Sequence, residues 1–314
     1  MFRFPARMTL GSRLLLVLLA TGIIPLSLLA LITLSIASDA LSKQAFNKLT
    51  AVAEIKHATI ERYLDGLTDL TLSFADSLEV VEALEGFGSA AERYLQESSL
   101  DAPRIQGMRD RLKKDYSESF ASAYAQRHDG RRPELDGALA ELDALAIALQ
   151  SAYILDNPYP TGEKDKLDRA DGAAAYHRLH ERFHPVFRRY LERFGFYDIF
   201  LVEERTGRVL YSVFKEVDFA TSLRDGPYAD TGLGQAFRQA DKAAPGQAAI
   251  IDFASYFPSY EAPAGFVSAP VLNAQGQRLG AVVFQFPIGE LNAIMTERQG
   301  LGRAAKPIWW AAII

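Results

Sequence analysis

Between Leu14 and Ser38 the chain runs for 25 residues without a charge, a stretch apolar on every side, which a surface helix of a soluble protein does not tolerate. As a helix rising about 1.5 Å per residue it spans roughly 37 Å, more than the ~30 Å hydrocarbon core of a bilayer. Pro25 lies inside the run, where a membrane helix tolerates proline better than a soluble one does. Arg3, Arg7 and Arg13 precede the run with no acidic residue among them, whereas Asp39 and Lys43 behind it nearly cancel. The positive-inside rule therefore places residues 1–13 in the cytoplasm and everything beyond Ser38 outside. A cleaved signal peptide is the competing reading, because Ser35-Ile36-Ala37 forms a small-x-small site, although the run exceeds the roughly 7–15 apolar residues of such a peptide. Both readings export the rest of the chain.

That rest is expected to fold in water. The 314 residues include 49% apolar and 23% charged residues, which is ordinary for a soluble domain and argues against a polytopic bundle or wholesale disorder. A net charge of −5 argues against nucleic acid as a partner, since a phosphate-backbone binder needs a basic surface. The absence of cysteine removes disulfides, thiolate metal sites and cysteine nucleophiles together.

Behind the apolar run an apolar residue recurs every seven positions at Phe46, Ala53, Ile60, Leu67, Phe74 and Val81, with a second seam at Leu49, Leu64, Leu70 and Leu78. This predicts a long amphipathic helix that packs on its own domain or on a second copy in a parallel homodimer. Gly86, Gly88 and Ser89 are expected to end it. Helical patterns follow at 105–124, 135–154 and 173–194, separated by His128-Asp129-Gly130 and by Asn157-Pro158-Tyr159-Pro160-Thr161-Gly162.

At Tyr197 the period changes. Residues 197–202 and 209–214 read as a hairpin around the 204–207 turn, a short helix is expected near 234–240, and strands follow at 248–253, 265–271 and 279–286. Five strands with a helix between the second and third predict a one-sheet α+β module.

A basic N-terminus, a membrane helix, a long exported helix and this strand order resemble the double Cache sensory domains of bacterial methyl-accepting chemotaxis receptors and related membrane sensor kinases. The resemblance is carried by Arg193-Phe194-Gly195-Phe196-Tyr197-Asp198-Ile199-Phe200-Leu201-Val202, by Val209-Leu210-Tyr211-Ser212-Val213-Phe214-Lys215-Glu216, by Gly226-Pro227-Tyr228 and by Leu279-Gly280-Ala281-Val282-Val283-Phe284-Gln285. It implies an extracytoplasmic PAS-like five-stranded antiparallel sheet that cups a small molecule, on a protein of the bacterial inner membrane whose output is chemotaxis or kinase control. The corresponding organisation is a cytoplasmic N-terminus (1–13), a transmembrane helix (14–38), an extracytoplasmic helical region (39–192), a Cache module (193–302) and an atypical tail (303–314). Two departures stand out. Members that bind amino acids carry an Arg-x-Trp-Tyr run and an acidic residue after the last strand, where this chain has neither and reads Phe286-Pro287-Ile288. Such receptors also continue past a segment like Gly300-Leu301-Gly302 into further modules, so a truncated or frameshifted gene is expected here.

The chemistry-bearing residues point away from an enzyme. His177, His180 and His184 share one helix face at metal-ligand spacing, but no carboxylate or cysteine completes a site, so neither metal nor cofactor is expected. His57 and His128 are expected on solvated surfaces, as are the turn carboxylates Glu203, Glu204, Asp218 and Asp225. No Gly-x-Ser-x-Gly elbow or phosphate loop occurs, and Gly232-Leu233-Gly234 lacks the third glycine of a dinucleotide fingerprint.

For ligand binding the informative stretch is residues 252–263, where four aromatics stand beside two carboxylates between two strands. Asp252, Tyr256 and Tyr260 from this stretch, with Tyr211 and Ser268 on neighbouring strands, are the expected ligand contacts; an aromatic cover for the sheet edge is the alternative. The sequence thus predicts a single-pass sensor fragment that contacts lipid through residues 14–38, binds a small molecule and pairs with a second copy. An anchored or secreted solute-binding protein serving another membrane protein is the alternative.

Overall fold

The computed structural model describes residues 9–297. Arg3, Arg7, the Gly300-Leu301-Gly302 segment and the expected tail at 303–314 lie outside the described residues. The chain divides into two compact units, Arg62–Asn292 and a second made of the chain up to Glu61 with the segment from Ala293 onward.

Helix α1 (Leu10–Ala75) continues through Pro25 without a break. In the smaller unit every residue from Leu14 to Ser38 is exposed, so this apolar surface finds no protein partner there. It is long and apolar enough to cross a membrane. The heptad residues Phe46 and Leu49 are likewise 71% and 53% exposed. Within the same unit the Lys56 ammonium donates to the carbonyls of Ile294, Met295 and Glu297 (2.5, 2.8 and 3.0 Å), which satisfies orphan acceptors at a helix C-terminus.

In the larger unit the heptad residues Leu67 and Phe74 are buried, together with Thr71, whereas Leu78 of the second seam is exposed. The long helix ends at Ala75 rather than at Gly86, because Ser77 interrupts it. The Ser77 hydroxyl donates to the carbonyl of Phe74 and accepts from the amide of Val80, closing one helix and capping the next, α2 (Leu78–Glu97). Gly86 lies inside α2, where a Cβ would stand 3.1 Å from Leu179; its absence lets the two helices approach closely. The helical patterns at 105–124 and 135–154 resolve into α3 (Ala102–Asp115), a π-helical turn at Tyr116–Phe120, α4 (Ala121–Arg127), α5 (Asp136–Ala140), α6 (Ala144–Gln150) and a second π-helical turn at Ser151–Leu155. Helix α7 (Ala175–Phe194) follows and stops at Gly195, which takes the left-handed conformation of a C-terminal cap.

The five expected strands form: β1 (Asp198–Glu203), β2 (Val209–Ser212), β3 (Ala249–Tyr256), β4 (Ala262–Leu272) and β5 (Arg278–Pro287), with α8 (Gly232–Lys242) between β2 and β3 and α9 (Gly289–Thr296) after β5. They make one antiparallel sheet in the order β2-β1-β5-β4-β3. Register assigns the faces, since residues directly opposite each other share one. Phe284 pairs with Val267 and Ile199, and its ring meets Phe74 and Tyr190, so these residues face α1 and α7. Val283 pairs with Ser268, whose hydroxyl donates to the carbonyl of Ala236 in α8, so the opposite face is covered by α8. With both faces covered, β1 and β5 read as continuous apolar runs rather than alternating ones. Helices and sheet share one core from Leu67 to Phe286.

The sheet's tightest point is Gly280, where a Cβ would stand 2.0 Å from the carbonyl oxygen of Val202 on the neighbouring strand. β5 lies between β1 and β4 and cannot swing away. Gly280→Ala is therefore expected to lower the thermal midpoint by more than about 5 °C, whereas Gly107→Ala, in open space inside α3, leaves it unchanged or slightly higher. Thermal unfolding followed by circular dichroism checks both.

Candidate functional site

The site is built around Asp198, the first residue of β1. It is fully buried, and its carboxylate accepts from the amides of Ile199, Val213 and Phe214 (2.6, 2.8 and 3.0 Å) and from the Ser212 hydroxyl (2.7 Å). These bonds fix the chain where it leaves β2. Burial pushes the Asp198 carboxyl up to about 6, against the pull of those donors and of Lys215.

Three residues past β2, Lys215 adopts a left-handed backbone (φ 55°). Its buried ammonium donates to the carbonyls of Ser212 and Val213 and lies 5.4 and 5.7 Å from the ring centres of Tyr211 and Tyr153. Burial brings this amine down to about 7, with Asp198 opposing the shift.

Glu216 has different partners. Its two carboxyl oxygens accept from the hydroxyls of Tyr197 (2.8 Å) and Ser259 (2.6 Å). Burial and the neighbouring Asp218 push its carboxyl well above the usual carboxylate range. Asp218 is fully buried, contrary to the solvated turn expected of it, because Gln150 in α6 donates to the carbonyls of Val217 and Phe219 (3.0 and 2.7 Å) and draws the loop inward. The Tyr256 hydroxyl donates to Asp218 Oδ2, and burial raises this carboxyl to about 7.

Glu216 opens onto a cavity of about 370 Å3. Its walls are aromatic: Phe120 stacks on Tyr260 at 4.8 Å between ring centres, and Tyr197 lies 4.8 Å from Phe214. The Arg127 guanidinium covers the Tyr260 ring at 4.2 Å. An apolar body with a convergent polar floor is the usual make-up of a small-molecule pocket.

Of the five expected contacts, Tyr260 lines this cavity, whereas Tyr256 is buried outside it and donates to Asp218. The structure brings the other three elsewhere. Tyr211 faces α7, where its hydroxyl meets His184 Nδ1 at 2.6 Å, and α2, where its ring stacks on Phe87. Asp252 is exposed on the edge strand β3 and accepts from the adjacent Phe253 amide. Ser268 is committed to α8. The residues missed, Tyr116, Phe120, Tyr197 and Glu216, come from three separate places in the chain. The one local signal is the run Phe214-Lys215-Glu216-Val217-Asp218, where charged residues follow directly on an apolar strand pattern.

The histidines of α7 lie buried in a polar seam. His177 bonds to the hydroxyls of Tyr153 and Tyr94 (2.9 and 3.3 Å), His180 Nδ1 meets the Asp168 carbonyl (2.7 Å), and His184 Nε2 meets the Asp165 carbonyl (2.5 Å). Burial lowers all three, His177 to about 4. Among the described residues no group of three or more histidine or carboxylate side chains could hold a metal. His57 is exposed, whereas His128, expected on the surface, packs on Tyr124 and meets the Tyr260 carbonyl at 2.9 Å. A larger cleft of about 670 Å3 lies against Tyr94 and His177. Of its charged groups, Glu97 is engaged with Arg93 and the Ala175 amide, and Arg169 with Glu181.

No protein-family model matches the sequence, and no curated protein matches it. Among solved structures it is similar to the sensor domain of the V. cholerae histidine kinase DctB (14% identity, 62% of this chain and 60% of that one, TM-score 0.29). It is also similar to the ligand-binding domain of the Pseudomonas aeruginosa PAO1 amino acid chemoreceptor PctC in complex with GABA (15% identity, 65% and 66%, TM-score 0.25). The chain thus spans less than two thirds of either domain, and at these TM-scores neither likeness carries weight below.

The elevated carboxyl of Glu216 has a measurable consequence. A folded-state value above the unfolded one means the folded protein keeps a proton that the unfolded chain releases above about pH 4.3, so this contribution to stability is lost as pH rises through the folded value. Glu216→Gln mimics the protonated form. Its thermal midpoint relative to the parent is expected to rise by several degrees between pH 5 and pH 8; a difference independent of pH would contradict the shift.

Proposed function

We propose that this chain is the extracytoplasmic sensory part of a bacterial transmembrane signal-transduction protein of the Cache type, and that the cavity beside Glu216 holds its small-molecule ligand. The observation that carries the reading is the cavity itself: a preformed space of about 370 Å3 with aromatic walls and a buried, hydrogen-bonded carboxyl at its floor, against a five-stranded antiparallel sheet. The exposed apolar surface from Leu14 to Ser38 supports anchoring in the inner membrane, and the arginines before it support a cytoplasmic N-terminus. Chemotaxis or kinase control would be the output of such a receptor.

Occupancy is expected to raise the thermal midpoint. At a ligand concentration a hundred times Kd the stabilisation is about 2.7 kcal/mol, or on the order of 5–10 °C for a domain of this size. A screen of amino acids, organic acids, amines and purines on the full chain in detergent should yield such a shift, and Tyr260→Ala should abolish it. A shift that survives this substitution would place the ligand elsewhere.

The exposed seam at Phe46, Leu49 and Ala53 supports pairing with a second copy along this helix. Because the chain has no cysteine, single substitutions report the contact directly. Phe46→Cys and Ala53→Cys are expected to form inter-chain disulfides in membranes, with Lys48→Cys at least several-fold weaker; equal yields at all three positions would argue against a defined parallel dimer.

A further inference from the structure

The seam beneath α7 is built for uncharged imidazoles. His180 Nδ1 lies 2.7 Å from the Asp168 carbonyl, which can only accept, so this nitrogen carries the ring proton. Its Nε2 is buried with no hydrogen-bond partner among the described residues. His184 Nε2 likewise donates to the Asp165 carbonyl, which leaves Nδ1 to accept from the Tyr211 hydroxyl. The two rings stack at 4.4 Å between centres. A proton added at His180 Nε2 meets no acceptor, one added at His184 Nδ1 confronts a donor already there, and each charge would lie against the other ring.

The groups packed on this pair add positive charge. Lys215 faces both rings from the loop after β2, and Arg188 of α7 itself donates to the Asp165 carbonyl (2.7 Å). On the loop before α7, Asp168 holds its carboxylate 3.2 Å from Arg188, and Asp165 meets His184 through its carbonyl. Asp198 of β1 is spent on three amides and Ser212. The second π-helical turn and β2 contribute the neutral Tyr153 and Tyr211, and α2 reaches only His177, through Tyr94. Burial and Lys215 keep both imidazoles well below the usual histidine range. The helix that carries them has two separable halves. Residues 175–184 are tied to β2, with the Tyr176 hydroxyl donating to the Leu210 carbonyl (2.6 Å), whereas beyond them Phe187 packs on Phe74 of α1 and the Tyr190 hydroxyl donates to the Leu70 carbonyl (3.1 Å). Pro185 stands between the halves and supplies no amide, so one ladder bond is missing at the junction.

We propose that the first half of α7 is an acid-released clasp: proton uptake by His180 and His184 frees residues 175–184 from β2 and from the loop before α7, hinging at Pro185, while the second half keeps its grip on α1, so that acidity acts on this unit as a stimulus of its own. The clasp does not depend on the cavity beside Glu216, which neither histidine lines. The sign follows from linkage. Both groups lie below their unfolded value of about 6.5, so the closed clasp binds fewer protons than the open one, and below that pH each histidine favours opening by up to tenfold per pH unit. Unfolding of the whole unit has a different signature, because Asp198, Glu216 and Asp218, raised by burial, then release protons that offset those taken up.

The test is hydrogen exchange of the full chain in detergent, read by mass spectrometry between pH 7.5 and pH 5 and corrected for the intrinsic exchange rate. Protection of residues 175–184 is expected to fall by more than about tenfold for each pH unit below 6, while residues 186–194 and β5 keep theirs. His180→Asn retains a donor at the place of Nδ1, His184→Gln retains one at the place of Nε2, and neither amide titrates. Each is expected to lower the pH slope by about one proton, and the double variant to leave at most the single proton of His177. His57→Gln, at an exposed position, should leave the slope unchanged. Protection of residues 175–184 that is independent of pH, that falls together with that of β5, or whose slope survives the double variant would overturn the inference. Should the double variant not fold, the slope of the parent and those of the two single variants decide between the same outcomes.

Discussion

The geometry of the site depends on one buried carboxylate. Asp198 opens the first strand and collects three backbone amides and a hydroxyl, two of the amides coming from the chain that has just left β2. That anchor fixes where residues 213 and 214 leave the sheet, and bonds from Gln150, Tyr197, Ser259 and Tyr256 hold the segment beyond them. With both in place, consecutive residues are committed to different surroundings, Lys215 to the tyrosines and Glu216 to the cavity. The low dielectric that makes such bonds strong also makes each of these charges costly, so the lysine is lowered and the acids are raised together. Desolvation, more than any ion pair, sets the protonation states of the region.

The helical part closes the site as well as bordering it. Tyr116 donates to Gln150, and Gln150 donates to the loop carbonyls at 217 and 219, so a side chain bridges helices to loop and satisfies backbone groups that would otherwise be buried alone. Phe120 and Ile154, from the two π-helical turns, complete the apolar lining. The sheet and the helices therefore share one core, and the cavity lies where their ends meet.

The strands were legible because their residues are continuous and β-branched or aromatic over stretches such as Ile199–Val202 and Ala281–Phe284, and a run covered on both faces needs no alternation to be recognised. The uncharged stretch from Leu14 was legible for the same reason. The break at Ser77 was not, since a serine among helix formers becomes a cap only when the Phe74 carbonyl and the Val80 amide turn toward it. Gly86 was misleading: a glycine stops a helix in isolation, but here it is the residue that admits Leu179. The candidate site was the least legible part. Tyr260 and Tyr256 stood out by composition, but Glu216 acquires meaning only from Tyr197 and Ser259, 19 and 43 positions away. Asp218 was expected in solvent because turns usually are solvated; Gln150, from a helix 67 residues earlier, removes it from solvent.

The two π-helical turns carry a consequence for how such a cavity comes and goes. Each holds one residue more than an α-helical turn needs, and each delivers side chains to the cavity: Tyr116 and Phe120 from one, Ile154 from the other. Loss of a single codon within either turn would let the helix close as regular α-helix, with its backbone bonds intact and later side chains kept in register, while the side chains of the turn itself shift. The fold would survive such a deletion far better than the lining would. A pocket built on surplus residues can thus be erased or reshaped by length changes of one, without the sheet beneath it changing at all.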